Sequence, residues 1–121
     1  MLDAPPHVHK CHALRKVPIN RLTAGDLRML ITQDVGLKYL MPSAMHLLKQ
    51  DPMLEADHYA GDLLCATMGV GSQYWSSAPH ELVELKQLAH QAGELIACSS
   101  NPSHFRQVAR SITQFQEQSV A

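Results

Sequence analysis

SAPHELVELKQLAHQAGELIAC, residues 77–98, is the stretch that decides the fold. Ser77 is a candidate cap for the bare amides of a helix start, and Pro79 in the first turn lacks only a hydrogen that would have no partner there. Behind that start Leu82, Leu85, Leu88, Ala89, Ala92, Leu95 and Ile96 recur at three- and four-residue intervals, which sets them along one side of a helix running to about Cys98. A helix with a single apolar stripe draws most of its stability from whatever covers that stripe. The spacing therefore predicts that other helices of the chain pack against it.

Working outward, those helices are legible on both sides. Downstream, Ser100-Asn101-Pro102 breaks the chain before a last helix with Phe105, Val108, Ala109, Ile112 and Phe115 on one face. Upstream, Gly69 and Gly71 open a loop through Trp75, which is read as a core residue. Before it stands a short helix from Gly61 to Met68, with Asp62 near its start, where a negative charge is favoured. Asp51-Pro52 closes an earlier helix bearing Leu37, Leu40, Met41, Ala44, Leu47 and Leu48. Pro42 either kinks that helix or falls in its first turn, and the sequence does not choose between them. Thr23 and Asp26 match a capping box for a helix with Leu27, Leu30 and Ile31, expected to end near Asp34, with Gly36 as the left-handed residue at the junction. A further short helix is expected over Val8 to Lys16, after a flexible lead-in at residues 1–6. Period-two runs of β-branched residues and hairpin turns between them are missing. The expectation is an all-α single domain over 1–121, an irregular bundle of five or six helices.

Composition narrows the function. Hydrophobic residues at 45% and charged ones at 17% describe a chain with a real core, and a formal charge of −1 argues against a general nucleic-acid binder. Cys11, Cys65 and Cys98 are odd in number and far apart, which favours a reducing compartment over a disulfide framework. The first residues, MLDAPPHVHKCHALRK, lack the apolar run of a signal peptide, and no stretch of about 18 apolar residues occurs, so neither export nor membrane spanning is expected.

Candidate sites are few. His7, His9, Cys11 and His12 crowd four potential ligands into six residues, but a helix would split them into two faces, so no metal site is expected. Cys65 and Cys98 sit in apolar helical runs and read as buried packing residues rather than nucleophiles. Phosphate loops, nucleophile elbows and zinc-protease motifs do not occur, and no enzyme, cofactor or small-molecule substrate is expected. The stretch Asp51-Pro-Met-Leu-Glu55-Ala-Asp57-His-Tyr59-Ala-Gly-Asp62 holds four acids and neither lysine nor arginine. Such a patch can steer a basic protein partner, or be a solvated loop with one capping acid. Tyr59 can anchor an interface or complete the core.

An ordered set of motifs then carries a resemblance. Cys11-His12-Ala13-Leu14-Arg15-Lys16, Leu22-Thr23, Asp26-Leu27-Arg28, Leu30-Ile31 with Gln33, Gly36-Leu37, Leu40, Pro42, Ala44, Leu48, Asp51-Pro52 and Gly61-Asp62-Leu63-Leu64 resemble the immunity-protein family of bacterial contact-dependent growth inhibition systems. The departures are Ala60, where the family favours proline, and Met41 and Met45 in place of aliphatics. The resemblance implies a cytoplasmic, non-enzymatic antitoxin that forms a heterodimer with the C-terminal toxin domain delivered by a neighbouring cell, commonly a nuclease. It implies structural roles for Thr23, Asp26, Gly36, Pro42, Gly61 and Asp62.

The contacts expected for the toxin are Asp34, Asp51, Glu55, Asp57, Tyr59, Asp62 and Glu81. The competing reading is a helical adaptor or transcriptional regulator, binding another protein or DNA through the basic segment from His7 to Arg21, with Lys10, Arg15 and Lys16.

Overall fold

The computed structural model describes residues 21–118. Among them six α-helices follow in order: α1 (Ala24–Thr32), α2 (Leu37–Gln50), α3 (Asp62–Met68), α4 (Ser72–Ser77), α5 (Pro79–Ala97) and α6 (Arg106–Gln118), the last entered through a 3-10 turn at Pro102–Phe105. Glu55 and Ala60 form an isolated β-bridge, and no strand is built among the described residues. The fold is all-α, as the periodicity predicts. The expected helix over Val8 to Lys16, the flexible lead-in, the His7, His9, Cys11 and His12 cluster, and Lys10, Arg15 and Lys16 lie outside the described residues.

The shortest of the apolar helices forms the centre. α3 packs against α1, α2, α5 and α6, and its Leu63 and Leu64 are wholly enclosed. A helix apolar on all sides belongs inside, and Thr67, also enclosed, avoids an orphaned hydroxyl by donating to the Leu64 carbonyl at 2.7 Å. Around it α1 contributes Leu27, Leu30 and Ile31, α2 contributes Leu40, Met41, Ala44, Met45 and Leu48, α5 contributes Leu85, Leu88, Ala89, Ala92 and Ile96, and α6 contributes Val108, Ile112 and Phe115. Met41 and Met45, the departures from the family pattern, are therefore core side chains. Leu95 is 52% exposed, because it sits at the margin of the α5 stripe, while Ile96 of the same turn is buried.

The helix ends explain the chain path. The Asp26 amide donates to Thr23 Oγ1 at 3.1 Å and the Thr23 amide donates to Asp26 Oδ2 at 3.0 Å, a reciprocal capping box. At the other end of α1 the Asp34 amide donates to the Ile31 carbonyl at 3.0 Å and the Val35 amide to the Leu30 carbonyl at 2.9 Å. These are the two bonds of a Schellman turn, with Asp34 in the left-handed position at φ 56°. The residue that closes α1 is thus Asp34. Gly36, also left-handed at φ 64°, precedes α2 as its cap, so its role differs from the helix-terminating one that its type suggests. Pro42 lies past the first turn, inside α2, on its exposed side.

Three local expectations are corrected. The segment after Gly71 forms α4 rather than loop: Trp75 is buried, and its indole donates to the Val70 carbonyl at 3.1 Å, which docks one turn of chain against the core. Ser77 does not cap α5; it ends α4 and its hydroxyl donates to the Tyr74 carbonyl, so α5 starts from Ala78 with Pro79 in its first turn. Cys98 is exposed at the end of α5, because the stripe ends at Ile96.

Candidate functional site

The acid-rich segment Asp51 to Asp62 folds into a compact loop between α2 and α3. Asp51 leaves α2 in an extended conformation, and its carboxylate accepts the Met53 amide at 3.1 Å, a turn that short acidic side chains favour. The Leu54 amide donates to the Asp51 carbonyl and the Gly61 amide to the Leu54 carbonyl, both at 3.1 Å, so the two ends of the loop are tied together. Two glycines seat it. A side chain at Gly25 on α1 would lie 3.3 Å from the Ala56 carbonyl, and Gly61 turns into α3 at φ 91° with Val108 of α6 only 3.1 Å from where a Cβ would stand.

Asp62 organises the loop from within. Only 3% exposed, it accepts the amide of Ala56 on Oδ1 at 2.7 Å and those of Asp57 and His58 on Oδ2 at 2.9 and 2.8 Å. Burial alone would raise its pKa, but the amides of His58, Ala56 and Asp57 together outweigh that cost and hold the carboxyl below its ordinary value. Arg28 of α1 stands beside it, Nε 3.9 Å from Asp62 Oδ2, while Nη2 lies 3.4 Å from Asp57 Oδ2 and donates to His58 Nε2 at 3.0 Å. A guanidinium has no acceptor, so His58 Nε2 is the accepting atom. One cation thus ties α1 to Asp57 and His58 of the loop and to Asp62 at the start of α3.

The expected contact residues therefore separate. Asp51, Glu55 and Asp57 are exposed on the loop, with Asp57 shared with Arg28. Tyr59 is half-buried against the core, and its phenol is pushed up by burial and by Cys65. Asp62 faces inward and presents its charge to its own backbone. Asp34 and Glu81 are not part of the loop: Asp34 is at the opposite end of α1, about 13 Å of helix away, and Glu81 accepts a hydrogen bond from the Tyr74 hydroxyl. The contribution of Arg28 was not singled out from the sequence. The signal for it was that Arg28 is the one base in α1, within a quoted motif, while the acid-only stretch has no base of its own.

Cys65 has no nucleophilic setting. Burial raises its thiol pKa, which hydrogen bonding to Ser111 and Tyr59 only partly offsets. No group of three or more metal-ligating side chains is assembled among the described residues.

A family comparison matches residues 2–85, described as CDI immunity proteins, and so takes in more than half of the chain, including α1 to α4 and the whole acidic loop. The chain belongs to the CDI immunity protein family. Comparison with curated proteins and with solved structures gives no match. The match extends on both sides of the Cys11 to Met68 segment on which the resemblance was read. In this immunity protein Thr23 and Asp26 form the capping box, Gly36 stands at the α1–α2 junction and Gly61-Asp62 at the entry to α3, where the backbone changes course, while Pro42 lies within α2. No helix among the described residues is long and apolar enough to cross a membrane.

Proposed function

We propose that this immunity protein acts in the cytoplasm of the producing cell by binding the C-terminal toxin domain of its own system as a heterodimer, and that the loop from Asp51 to Asp57 is a principal contact. The observation that carries this reading is the build of that loop. Its exposed acids stand on a backbone tied at both ends and clamped by Asp62, so a basic partner meets a prearranged negative surface and little ordering cost is added on docking. Toxins of this class that cleave nucleic acid need a basic substrate groove, and an acid-only loop is complementary to such a groove. Inhibition then comes from occupancy, and the immunity protein transforms no substrate.

The structure also chooses the variants. Asp57 is paired with Arg28 and Asp51 holds a turn, whereas Glu55 carries no such local duty, so Glu55→Lys with Asp51→Asn alters charge while sparing the loop's own bonds. Helicity is expected to stay unchanged. Association with the toxin domain should slow several-fold at low salt and recover toward the unaltered rate at high salt, with rescue of toxin-expressing cells weakened. Full-rate association by the double variant would move the interface off this loop.

A further inference from the structure

At the end of α1 remote from the acidic loop, a cleft of about 470 Å³ is lined by Asp34, Leu37, Gly71, Gln73, Tyr74 and Ser77. Its walls come from the α1–α2 junction and from α4. Tyr74 is held in place twice, edge-on against Trp75 with ring centroids 5.0 Å apart and through its hydroxyl, which donates to Glu81. Asp34 is exposed and occupies the left-handed corner of the Schellman turn, a position whose hydrogen bonds are made by backbone alone. Its carboxylate is not needed for the turn. Asp26, Asp51, Asp57, Asp62, Glu81, Glu84 and Glu94 each have a partner within the molecule, whereas the carboxylates of Asp34, Glu55 and Glu117 have none among the described residues, and of these three Asp34 alone lines this cleft.

An unpaired carboxylate beside an immobilised aromatic ring and an apolar wall at Leu37 matches one kind of side chain. We propose that this cleft receives a single arginine of the toxin domain, its guanidinium paired with Asp34 and lying against the Tyr74 ring, its methylenes along Leu37. Arginine fits better than lysine because its planar head satisfies a carboxylate with two parallel hydrogen bonds and stacks on a ring at the same time. The volume takes one long side chain with room left for bridging water. The assignment rests on the toxin-binding reading and gives it a second, mechanistically different contact. Carboxylates on the open loop act mainly on the rate of encounter, while a pair that docking covers inside a cleft acts on the lifetime of the complex.

The test measures association and dissociation of the full-length immunity protein with its toxin domain for the unaltered chain, Asp34→Asn and Asp34→Gly. Asparagine and glycine both accept the left-handed conformation, so neither variant should unfold the turn. Both are expected to speed dissociation roughly 10- to 100-fold, at low and high salt alike, with the association rate little changed and the thermal midpoint not lowered. Dissociation at the unaltered rate by both variants would overturn the cleft assignment and leave the loop contact standing. Failure of the unaltered chain to bind the toxin domain would overturn the toxin-binding reading and the cleft with it.

Discussion

The carboxylate of Asp62 points at the amides of Ala56, Asp57 and His58, and Arg28 closes the remaining side. Replacing it with asparagine keeps the shape but removes the charge and turns an amide NH2 toward backbone donors. Asp62→Asn should destabilise the protein by on the order of 2–4 kcal/mol, read from denaturant unfolding at neutral pH. The pH dependence has a defined sign. Because the folded pKa lies below the ordinary 3.8, the stabilisation is present in full above that value and is lost as pH falls through the folded pKa, when the folded state must take up the proton. Unfolding free energies measured from pH 6 down to pH 2 should fall less steeply in Asp62→Asn than in the unaltered protein. Equal slopes would show that other carboxylates set the acid limit. The identity of Asp62 as a helix-start acid was legible from its place before an apolar run. Its inward orientation was not, since three of its partners are amides of a loop whose path no local pattern encodes.

At the scale of elements, two glycines of similar appearance in sequence have opposite roles. Gly61 turns the chain into α3 at φ 91° and would place a side chain 3.1 Å from Val108, whereas Gly93 lies within α5 with nothing within 4 Å of an added Cβ. Gly61→Ala is expected to cost about 2–3 kcal/mol from the left-handed conformation and the contact with α6 together. Gly93→Ala should instead raise stability by about 0.5–1 kcal/mol through helix propensity. Thermal unfolding of the two variants, followed by circular dichroism, should show midpoints shifted in opposite directions. A lower midpoint in Gly93→Ala would mean that α5 is crowded at that turn. The same scale shows why some elements could be read and one could not. Helices α1, α2, α5 and α6 carry apolar side chains at helical intervals, while α4 is SQYWSS, too short for any period, and is held by burial of Trp75. Asp34 rather than Gly36 closes α1 because the helix ends at Thr32, which puts the left-handed position of the Schellman turn two residues on.

For the whole molecule, the matched family segment ends at residue 85, but the core does not. α6 buries Val108, Ile112 and Phe115 against α3 and α5, and Val108 also backs Gly61 at the base of the acidic loop. A chain ending at Cys98 should therefore lose cooperative unfolding, bind a hydrophobic dye, and bind the toxin domain less tightly because the loop has lost its support. Cooperative unfolding of that fragment near the full-length midpoint would show that α6 is an addition to a complete fold.

Taken by itself, the chain determined its class and its family, because periodic apolar spacing, caps and ordered motifs are properties of neighbours in sequence, and such local signals survive without knowledge of the partners they pack against. The direction in which each acid points was decided only in three dimensions. Whether a carboxylate meets water, an amide, Arg28 or an open cleft depends on segments that folding brings together across distant stretches of chain. That is why the seven expected contacts separate, with Asp51, Glu55 and Asp57 on the open loop, Tyr59 half-buried against the core, Asp62 turned inward, Asp34 at a distant cleft and Glu81 bonded to Tyr74.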